Sequence, residues 1–378
     1  MEHEQRVTSL ELFFDLVFVF AITQVTALLS DDPTAAGIGR GMLVLGALWW
    51  AWAAYAWLTN TVNPEEGLVR LAVFAASGAM IVVALAVPEA FDEHGVLFGA
   101  AYLIVRALHI ALYALAARGD PGLARAVLSI IPTSTVSGIL LVTAGFLDGG
   151  DRIGLWVAAL AIDYFGPLLG RGAGWHLHPH HFAERHGLIV IIAIGESIVA
   201  VGVGATGRPL TAGVVTAALL GIAVAAAFWW TYFDWWTIVA EQRLAESSGA
   251  TRNALARDLY SYLHLPLVAG IVIFAMAMKK TLAHVGGTLE AVPAGALCGG
   301  LALYFFAYSA LRLRYHRQLA RGRSAAAVAL VALYPLAREF SALGALAAAT
   351  AILVVLVAYE AIHYREARAR IRGAGAPA

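Results

Sequence analysis

Several ionisable side chains of this 378-residue chain lie inside long apolar runs, where a charge is costly. Glu196 and Ser197 follow Gly195 near the centre of one such run, and Asp15 lies within the first run. A charged side chain at the centre of a bilayer costs about 2.5–3.5 kcal/mol, so it usually faces a partner or a water-filled cavity. Glu196 is therefore a candidate proton or cation site, and Gly195 would allow the close approach of a neighbouring backbone. The alternative is a structural glutamate that is hydrogen-bonded between helices.

Arg106 lies near the middle of another apolar run, with His109 one turn further along. A guanidinium at that depth needs a carboxylate, and the available partners in other runs are Asp15, Asp163 and Glu196. The resulting pair is a candidate proton, ion or substrate site. The alternative is a buried pair that only fixes the packing of helices.

Two further polar positions have both a functional and a structural interpretation. Glu11 completes the capping box Thr8-Ser9-Leu10-Glu11, so it either caps a helix or supports Asp15 on the same helix face. His264 comes shortly before Pro266, a residue type that frees a backbone carbonyl in its helix. A satisfied interior histidine is the favoured interpretation of His264, and a candidate site residue is the alternative.

A histidine-rich tract extends from Trp175 to His186 and is predicted to form a cytoplasmic loop. Histidine-rich tracts can bind metal, but this spacing fits neither an H-E-x-x-H helix nor a Cys-His finger. An interfacial loop with a pair between Glu184 and Arg185 is the favoured interpretation. A metal site is the alternative, and its candidate ligands are His176, His178, His180 and His181.

The composition indicates the environment of these residues. Hydrophobic residues make up 61% of the chain, charged residues make up 13%, and the mean hydropathy is +0.76. Soluble domains are about 45–50% apolar and about 25% charged. An all-α polytopic integral membrane protein is therefore predicted, and a water-soluble enzyme is excluded. The 25 basic and 25 acidic residues balance, so no overall charge attracts nucleic acid.

Twelve membrane spans of about 20 residues are predicted from the apolar runs between charged or Gly- and Pro-rich breaks. Their approximate ranges are 10–29, 41–62, 68–87, 95–117, 124–146, 153–170, 187–205, 210–233, 260–280, 293–311, 324–337 and 342–362. The basic clusters at 312–323 and 365–372 lie on the same side of the membrane only if residues 324–362 cross the bilayer twice. Because Arg and Lys concentrate in cytoplasmic loops, we expect an inner (plasma) membrane protein with both termini in the cytoplasm.

The two halves of the chain resemble each other. Ala47-Leu48-Trp49-Trp50 matches Ala227-Phe228-Trp229-Trp230, which indicates an internal repeat. Six spans is an even number, so both halves enter the membrane in the same direction. The prediction is two parallel six-helix repeats. The predicted regions are a first repeat at 1–174, a second repeat at 175–364 and a basic cytoplasmic tail at 365–378.

Four motifs combine polar and apolar residues within or beside the predicted spans. They are Leu10-Glu11-Leu12-Phe13-Phe14-Asp15, His181-Phe182-Ala183-Glu184-Arg185-His186, Gly195-Glu196-Ser197 and Tyr260-Ser261-Tyr262-Leu263-His264-Leu265-Pro266. The first motif is the most specific, because an E-L-F-F-D run inside a hydrophobic span is unusual. With these motifs the chain resembles the bacterial low temperature requirement protein A family over nearly its whole length. The resemblance implies a polytopic protein linked by name to growth in the cold. It implies that Asp15, Glu184, Arg185 and Glu196 matter, but it assigns no catalytic residue.

Three classes of function stay open. A secondary transporter or ion-conducting protein, proton- or cation-coupled through its membrane-embedded carboxylates, is the first choice by analogy with other repeat-built transporters. An intramembrane enzyme lacks a recognisable nucleophile–base pair and is disfavoured. A non-transporting sensor or assembly factor is the third. No cofactor is predicted. The expected partners are the lipid bilayer and an unidentified small solute or ion, without nucleic acid, and a homo-oligomer is left open.

Overall fold

The computed structural model describes residues 6–169, 174–234 and 236–366. Within these ranges the helices are joined by short turns and no β-strand is present, which confirms the all-α prediction. The α-helices are α1 (Ser9–Asp31), α2 (Ala35–Thr59), α3 (Gly67–Ala86), α4 (Gly95–Ala116), α5 (Pro121–Ala144), α6 (Gly149–Leu169), α7 (Pro179–Ala205), α8 (Ala212–Phe233), α9 (Trp236–Glu246), α10 (Gly249–Ala256), α11 (His264–Ala283), α12 (Ala291–His316), α13 (Arg321–Ala337) and α14 (Ala342–His363). A 3₁₀ turn (Val87–Glu89) follows α3, and a π-helical segment (Arg257–Tyr262) precedes α11.

Among the described residues, 10 helices are long and apolar enough to cross a membrane, which confirms the polytopic class. The remaining two predicted spans, 153–170 and 324–337, coincide with α6 and α13. At 1.5 Å per residue, the 17 residues of α13 reach about 25 Å, which is less than the hydrocarbon thickness of about 30 Å. The count of twelve spans therefore stays a prediction. The predicted tail at 365–378 lies outside the described residues after its first two positions.

One face of α3 shows how these helices meet their surroundings. Leu68 is 74% exposed, and Leu71, Phe74 and Leu85 are also exposed along the same stripe. The opposite face is buried, with Val73 and Ala76 against the interior. Soluble monomers rarely expose a contiguous apolar stripe of this length. An exposed apolar stripe of this kind is typical of a helix that contacts lipid tails.

The described chain divides into two compact units. The first contains the residues up to Leu28, Ala36–His186 and Leu244–Ser261. Within it, α3, α4, α5 and α6 pack as consecutive neighbours. A Cβ at Gly99 of α4 would lie 2.6 Å from the backbone of Val142 in α5, so only glycine permits this approach.

The second unit contains Leu29–Ala35, Gly187–Arg243 and the chain from Tyr262 onwards. Its helices α11, α12, α13 and α14 pack in sequence, and α8 packs against α14. At the crossing of α11 and α12, a Cβ on Gly270 would lie 2.6 Å from the carbonyl oxygen of Gly300. The predicted division into repeats at 1–174 and 175–364 concerns internal sequence similarity, and it stays a prediction.

Candidate functional site

The first candidate site lies where the start of α1 meets the first turns of α7. Arg185 donates from Nη1 to Glu11 Oε1 at 2.7 Å and from Nη2 to Asp15 Oδ1 at 2.8 Å. His181 Nε2 lies 3.0 Å from Glu11 Oε1. All four side chains are buried. We call Glu11, Asp15, His181 and Arg185 the Arg185 network.

Neighbouring side chains hold the Arg185 network in place. Trp52 Nε1 donates to Asp15 Oδ1 at 2.8 Å, and Asn60 Nδ2 lies 2.9 Å from His181 Nδ1. Within the described part of the chain, Asp15 Oδ2 and Arg185 Nε have no hydrogen-bond partner. One guanidinium thus serves two carboxylates, so the charge of the network depends on bound protons or on a bound cation.

Glu11 both caps α1 and takes part in the Arg185 network, the two roles that were predicted as alternatives. Its Oε2 accepts the backbone N–H of Thr8 at 2.9 Å, and its own N–H donates to Thr8 Oγ1 at 3.3 Å. This is the reciprocal geometry of a capping box. The other carboxylate oxygen, Oε1, is the one that pairs with Arg185. The cap therefore fixes the direction in which Glu11 faces the guanidinium.

The prediction of a loop up to His186 is wrong from Pro179 onwards, because α7 begins there. Proline suits the first position of a helix, where its missing N–H costs nothing. The expected pair between Glu184 and Arg185 is also wrong. Glu184 Oε2 instead accepts the backbone N–H of Val7 at 3.2 Å. Adjacent residues on a helix point in directions about 100° apart, so they do not face a common partner.

The four candidate metal ligands are not brought together. His181 belongs to the Arg185 network, whereas His176 Nε2 lies 2.6 Å from Asp120 Oδ2 at the start of α5. This contact, with the N–H of Leu123, lowers the pKa of the Asp120 carboxyl. In residues 6–169, 174–234 and 236–366, no three His, Cys, Asp or Glu side chains form a group that could hold a metal ion.

The second candidate site is built around Arg106 in α4. Its Nη2 donates to Asp163 Oδ1 of α6 at 2.9 Å and to Ser134 Oγ of α5 at 2.5 Å. All three side chains are buried, with 3% of Arg106 exposed. Of the three candidate carboxylate partners of Arg106, Asp163 is the one that forms the ion pair. The Nε and Nη1 atoms of Arg106 have no hydrogen-bond partner within the described residues.

A pocket of about 80 Å³ lies against this ion pair. Its polar lining includes Arg106, Asp163 and Arg257, and its aromatic lining includes Trp50, Trp57 and Trp175. We call it the Arg106 pocket. Trp50 and Trp57 belong to the predicted span 41–62, whose tryptophans are most simply aromatic-belt and core residues, with an aromatic-lined cavity as the alternative. In the structure, both line the cavity.

The π-helical segment Arg257–Tyr262 forms part of this pocket's wall through Ser261. Ser261 accepts two indole N–H groups, that of Trp49 on its carbonyl oxygen at 2.7 Å and that of Trp57 on its hydroxyl at 2.8 Å. A π-turn changes the regular pattern of backbone bonds, and such turns often occur at functional sites. Sequence periodicity does not reveal a π-turn, so this wall was missed.

In the second unit, Glu196 lies about two thirds of the way along the 27-residue helix α7 and is 2% exposed. Lys279 of α11 interacts electrostatically with it. Ser197 Oγ donates to the carbonyl of Ile194 at 2.6 Å, within its own helix. The close approach that Gly195 would allow does not occur: apart from its chain neighbours and the backbone of its own helix, no described heavy atom would lie within 4 Å of a Cβ there. The buried setting of Glu196 is as predicted.

His264 is fully buried at the start of α11, and its Nε2 lies 2.8 Å from the hydroxyl of Tyr232. This contact matches the favoured interpretation of a satisfied interior histidine. Pro266 lies in the first turn of α11, immediately after the π-helical segment.

A third buried ion pair lies in the second unit, and it is not among the sequence predictions. Arg323 donates from Nε to Glu360 Oε1 at 2.6 Å and from Nη2 to Glu360 Oε2 at 2.8 Å. Its Nη1 donates to the carbonyl of Thr231 at 2.8 Å, and its guanidinium lies 3.6 Å from the ring centre of Tyr308. Arg323 had been counted in the basic cluster at 312–323. The signal that could have revealed the pair is Glu360, an acidic residue inside the last span that requires a cation.

Comparison with known proteins places these residues in a family. Residues 6–358 match the family model described as Bacterial low temperature requirement A protein. The "Uncharacterized protein RA0937" of Rhizobium meliloti (strain 1021) is 35% identical over 287 residues, which cover 72% of this chain and 69% of that protein. No solved structure matches. The family match spans both candidate sites and confirms the resemblance that the motifs indicated.

Proposed function

This chain belongs to the bacterial low temperature requirement A family, and we propose that it is a secondary transporter or an ion-conducting protein. Transport is coupled to a proton or a cation through membrane-embedded carboxylates. The observation that carries this proposal is the Arg185 network, in which Glu11 and Asp15 share one guanidinium. Glu196 is the second candidate for a coupling carboxylate.

The charge of the Arg185 network supports a coupling role. Two ionised carboxylates, one guanidinium and a neutral His181 ring leave one negative charge uncompensated in a buried place, unless a proton or a cation is bound there. Asp15 Oδ2, without a hydrogen-bond partner among the described residues, is the atom best suited to receive it. Binding and release change the attraction between α1 and α7. A local change of charge of this kind can bias a conformational equilibrium.

The test is solute-dependent proton movement into proteoliposomes that contain a pH-sensitive dye. We expect the wild type to acidify or alkalinise the lumen when one solute of an ion and metabolite panel is added. Asp15→Asn should abolish this coupling, because an amide does not titrate. Asp148→Asn is the matched control, since the side chain of Asp148 is 98% exposed. Wild-type vesicles that respond to no solute and no ion would favour a sensor or an assembly factor.

We propose further that the protein lies in the plasma membrane with both termini in the cytoplasm. The basic clusters at 312–323 and 365–372 support this orientation. Reporters fused after residue 320 and at the C-terminus should both report the cytoplasm, and one near residue 338 should report the outside. Opposite locations for the first two would remove α13 as a span, and the two parallel six-helix repeats with it.

A further inference from the structure

The Arg106 pocket contains an unusual combination of a buried cation with unused hydrogen-bond donors and a wall of indole rings. Arg106 uses one nitrogen, Nη2, for both Asp163 and Ser134. Its Nε and Nη1 have no hydrogen-bond partner within the described residues, although the side chain is 3% exposed. A buried N–H without an acceptor has lost its hydrogen bond to water, and this loss is larger on a charged group. An acceptor in the pocket would remove this cost.

The charge of the lining favours an anionic acceptor. Two guanidiniums, those of Arg106 and Arg257, line the pocket together with one carboxylate, that of Asp163. Arg257 is also paired with Asp258 at 2.7 Å, but Asp258 is not among the lining residues. Planar guanidinium groups match the geometry of carboxylates and form strong charge-assisted hydrogen bonds with them.

The remaining walls favour a flat apolar body. Trp50, Trp57 and Trp175 line the pocket, and His109 and Tyr113 of α4 add two further rings. The indole N–H of Trp57 is directed to Ser261, which fixes the orientation of that ring. Aromatic faces bind planar groups through stacking and edge contacts. Ligand pockets typically combine such walls with few polar groups that orient the ligand.

We propose that the Arg106 pocket binds a small organic anion in which a carboxylate is attached to an aromatic or other planar apolar body. The carboxylate accepts hydrogen bonds from Arg106, and the planar body lies among the three tryptophans. This inference names the solute class of the proposed transporter, and it rests on that function only for the statement that the bound anion is carried.

The experiment measures binding to the purified full-length protein in detergent, by quenching of tryptophan fluorescence and by thermal stabilisation. The probes are benzoate, phenylacetate and indole-3-carboxylate, each compared with its own uncharged amide, and benzylamine serves as the cationic probe. We expect at least one carboxylate to bind with an affinity at least tenfold higher than its amide. Equal affinities for every carboxylate and its amide would overturn the inference, and so would a preference for benzylamine.

Variants then test the assignment to Arg106. Arg106→Lys should weaken carboxylate binding at least tenfold, whereas the matched control Arg323→Lys should not change it. Asp163→Asn removes the internal competitor and should strengthen binding severalfold, which gives an opposite readout that a folding defect does not mimic. Unchanged binding in both pocket variants, with folding verified by helical circular dichroism and a monodisperse elution profile, would contradict the assignment.

Flux measurements separate this inference from the proposed function. Carboxylate binding without carboxylate flux in proteoliposomes would retain the binding site and reject the transporter. If another solute shows coupled flux and no carboxylate binds more tightly than its amide, the transporter function is retained and the anion site is rejected.

Discussion

Arg106 in the first unit and Arg323 in the second are both buried in ion pairs, yet their hydrogen bonds are satisfied to different extents. All three nitrogens of Arg323 have an acceptor, two of them on Glu360 and one on the carbonyl of Thr231. Arg106 uses one nitrogen, and its other two have no partner among the described residues. The side chains are equally deep, so burial alone does not account for the difference.

The difference distinguishes two uses of a charge in a membrane protein. A guanidinium whose donors are all satisfied by its own chain has no capacity left for a ligand, and it fixes the packing of helices. A guanidinium with unused donors beside a pocket retains that capacity. The comparison therefore assigns Arg323 to structure and Arg106 to binding. Four variants test or extend it.

The largest effect is expected for Arg323→Ala. It leaves Glu360 buried without its bidentate partner, a loss of about 3–5 kcal/mol by analogy with other broken buried pairs. Thermal unfolding in detergent measures it. The double variant Arg323→Ala/Glu360→Gln should recover part of the stability, because it removes the orphaned charge. A loss below about 1 kcal/mol would show that the pair is not structural.

A smaller loss of stability, about 3 kcal/mol, is expected for Arg106→Ala, because this side chain makes fewer bonds than Arg323. Asp163→Asn should rescue part of it, since Asp163 is the carboxylate left behind. Asp15→Asn and Glu196→Gln should give no rescue. Rescue by either of these, in the same unfolding measurement, would contradict the pairing. An effect equal to that of Arg323→Ala would remove the contrast between the two arginines.

The helices were predictable from the sequence because the bilayer requires apolar runs of about 20 residues, and the breaks between runs are polar. The start of α7 was not predictable, since His181 and Arg185 look like loop residues when only their polarity is considered. Both side chains are buried and contact Glu11. A polar face that is covered by another helix cannot be distinguished from an exposed one in a single sequence.

The candidate sites were predictable to a similar extent. The need of Arg106 for a carboxylate follows from its depth, but choosing Asp163 over two others requires tertiary contacts. Arg323 was assigned only to a cytoplasmic basic cluster. A basic residue at a helix end fits the rule for cytoplasmic charges whether its side chain is exposed or lies in a buried ion pair. The wall at Ser261 was missed because a π-turn leaves no signature in composition or periodicity.

Glu196→Gln extends the comparison to a third buried charged residue, Glu196, which interacts electrostatically with Lys279. The substitution is nearly isosteric, so we expect the stability to change by less than about 1 kcal/mol, the net value of one hydrogen bond. If Glu196 takes part in coupling, pH-dependent uptake or ligand-dependent stabilisation in proteoliposomes should be lost. An unchanged pH profile would make Glu196 a packing residue like Arg323 and leave coupling to Asp15.

The smallest effect is expected at the exposed pair of Asp120 and His176, which provides the solvent-exposed reference for the buried pairs. The pKa of Asp120 is lowered in the folded protein, chiefly by the contact with His176. A carboxyl with a lowered pKa stabilises the fold above its unfolded pKa of about 3.9, and this contribution disappears as the pH falls through the folded value.

Asp120→Asn isolates this contribution, because asparagine retains the ability to cap α5 through the N–H groups of Gly122 and Leu123. The variant should unfold at a slightly lower temperature than the wild type at pH 7, and the difference should shrink as the pH falls below about 3.9. Added salt should also reduce it, since exposed charges are screened. A difference that stays constant as the pH falls would mean that the stabilisation by Asp120 does not come from its charge.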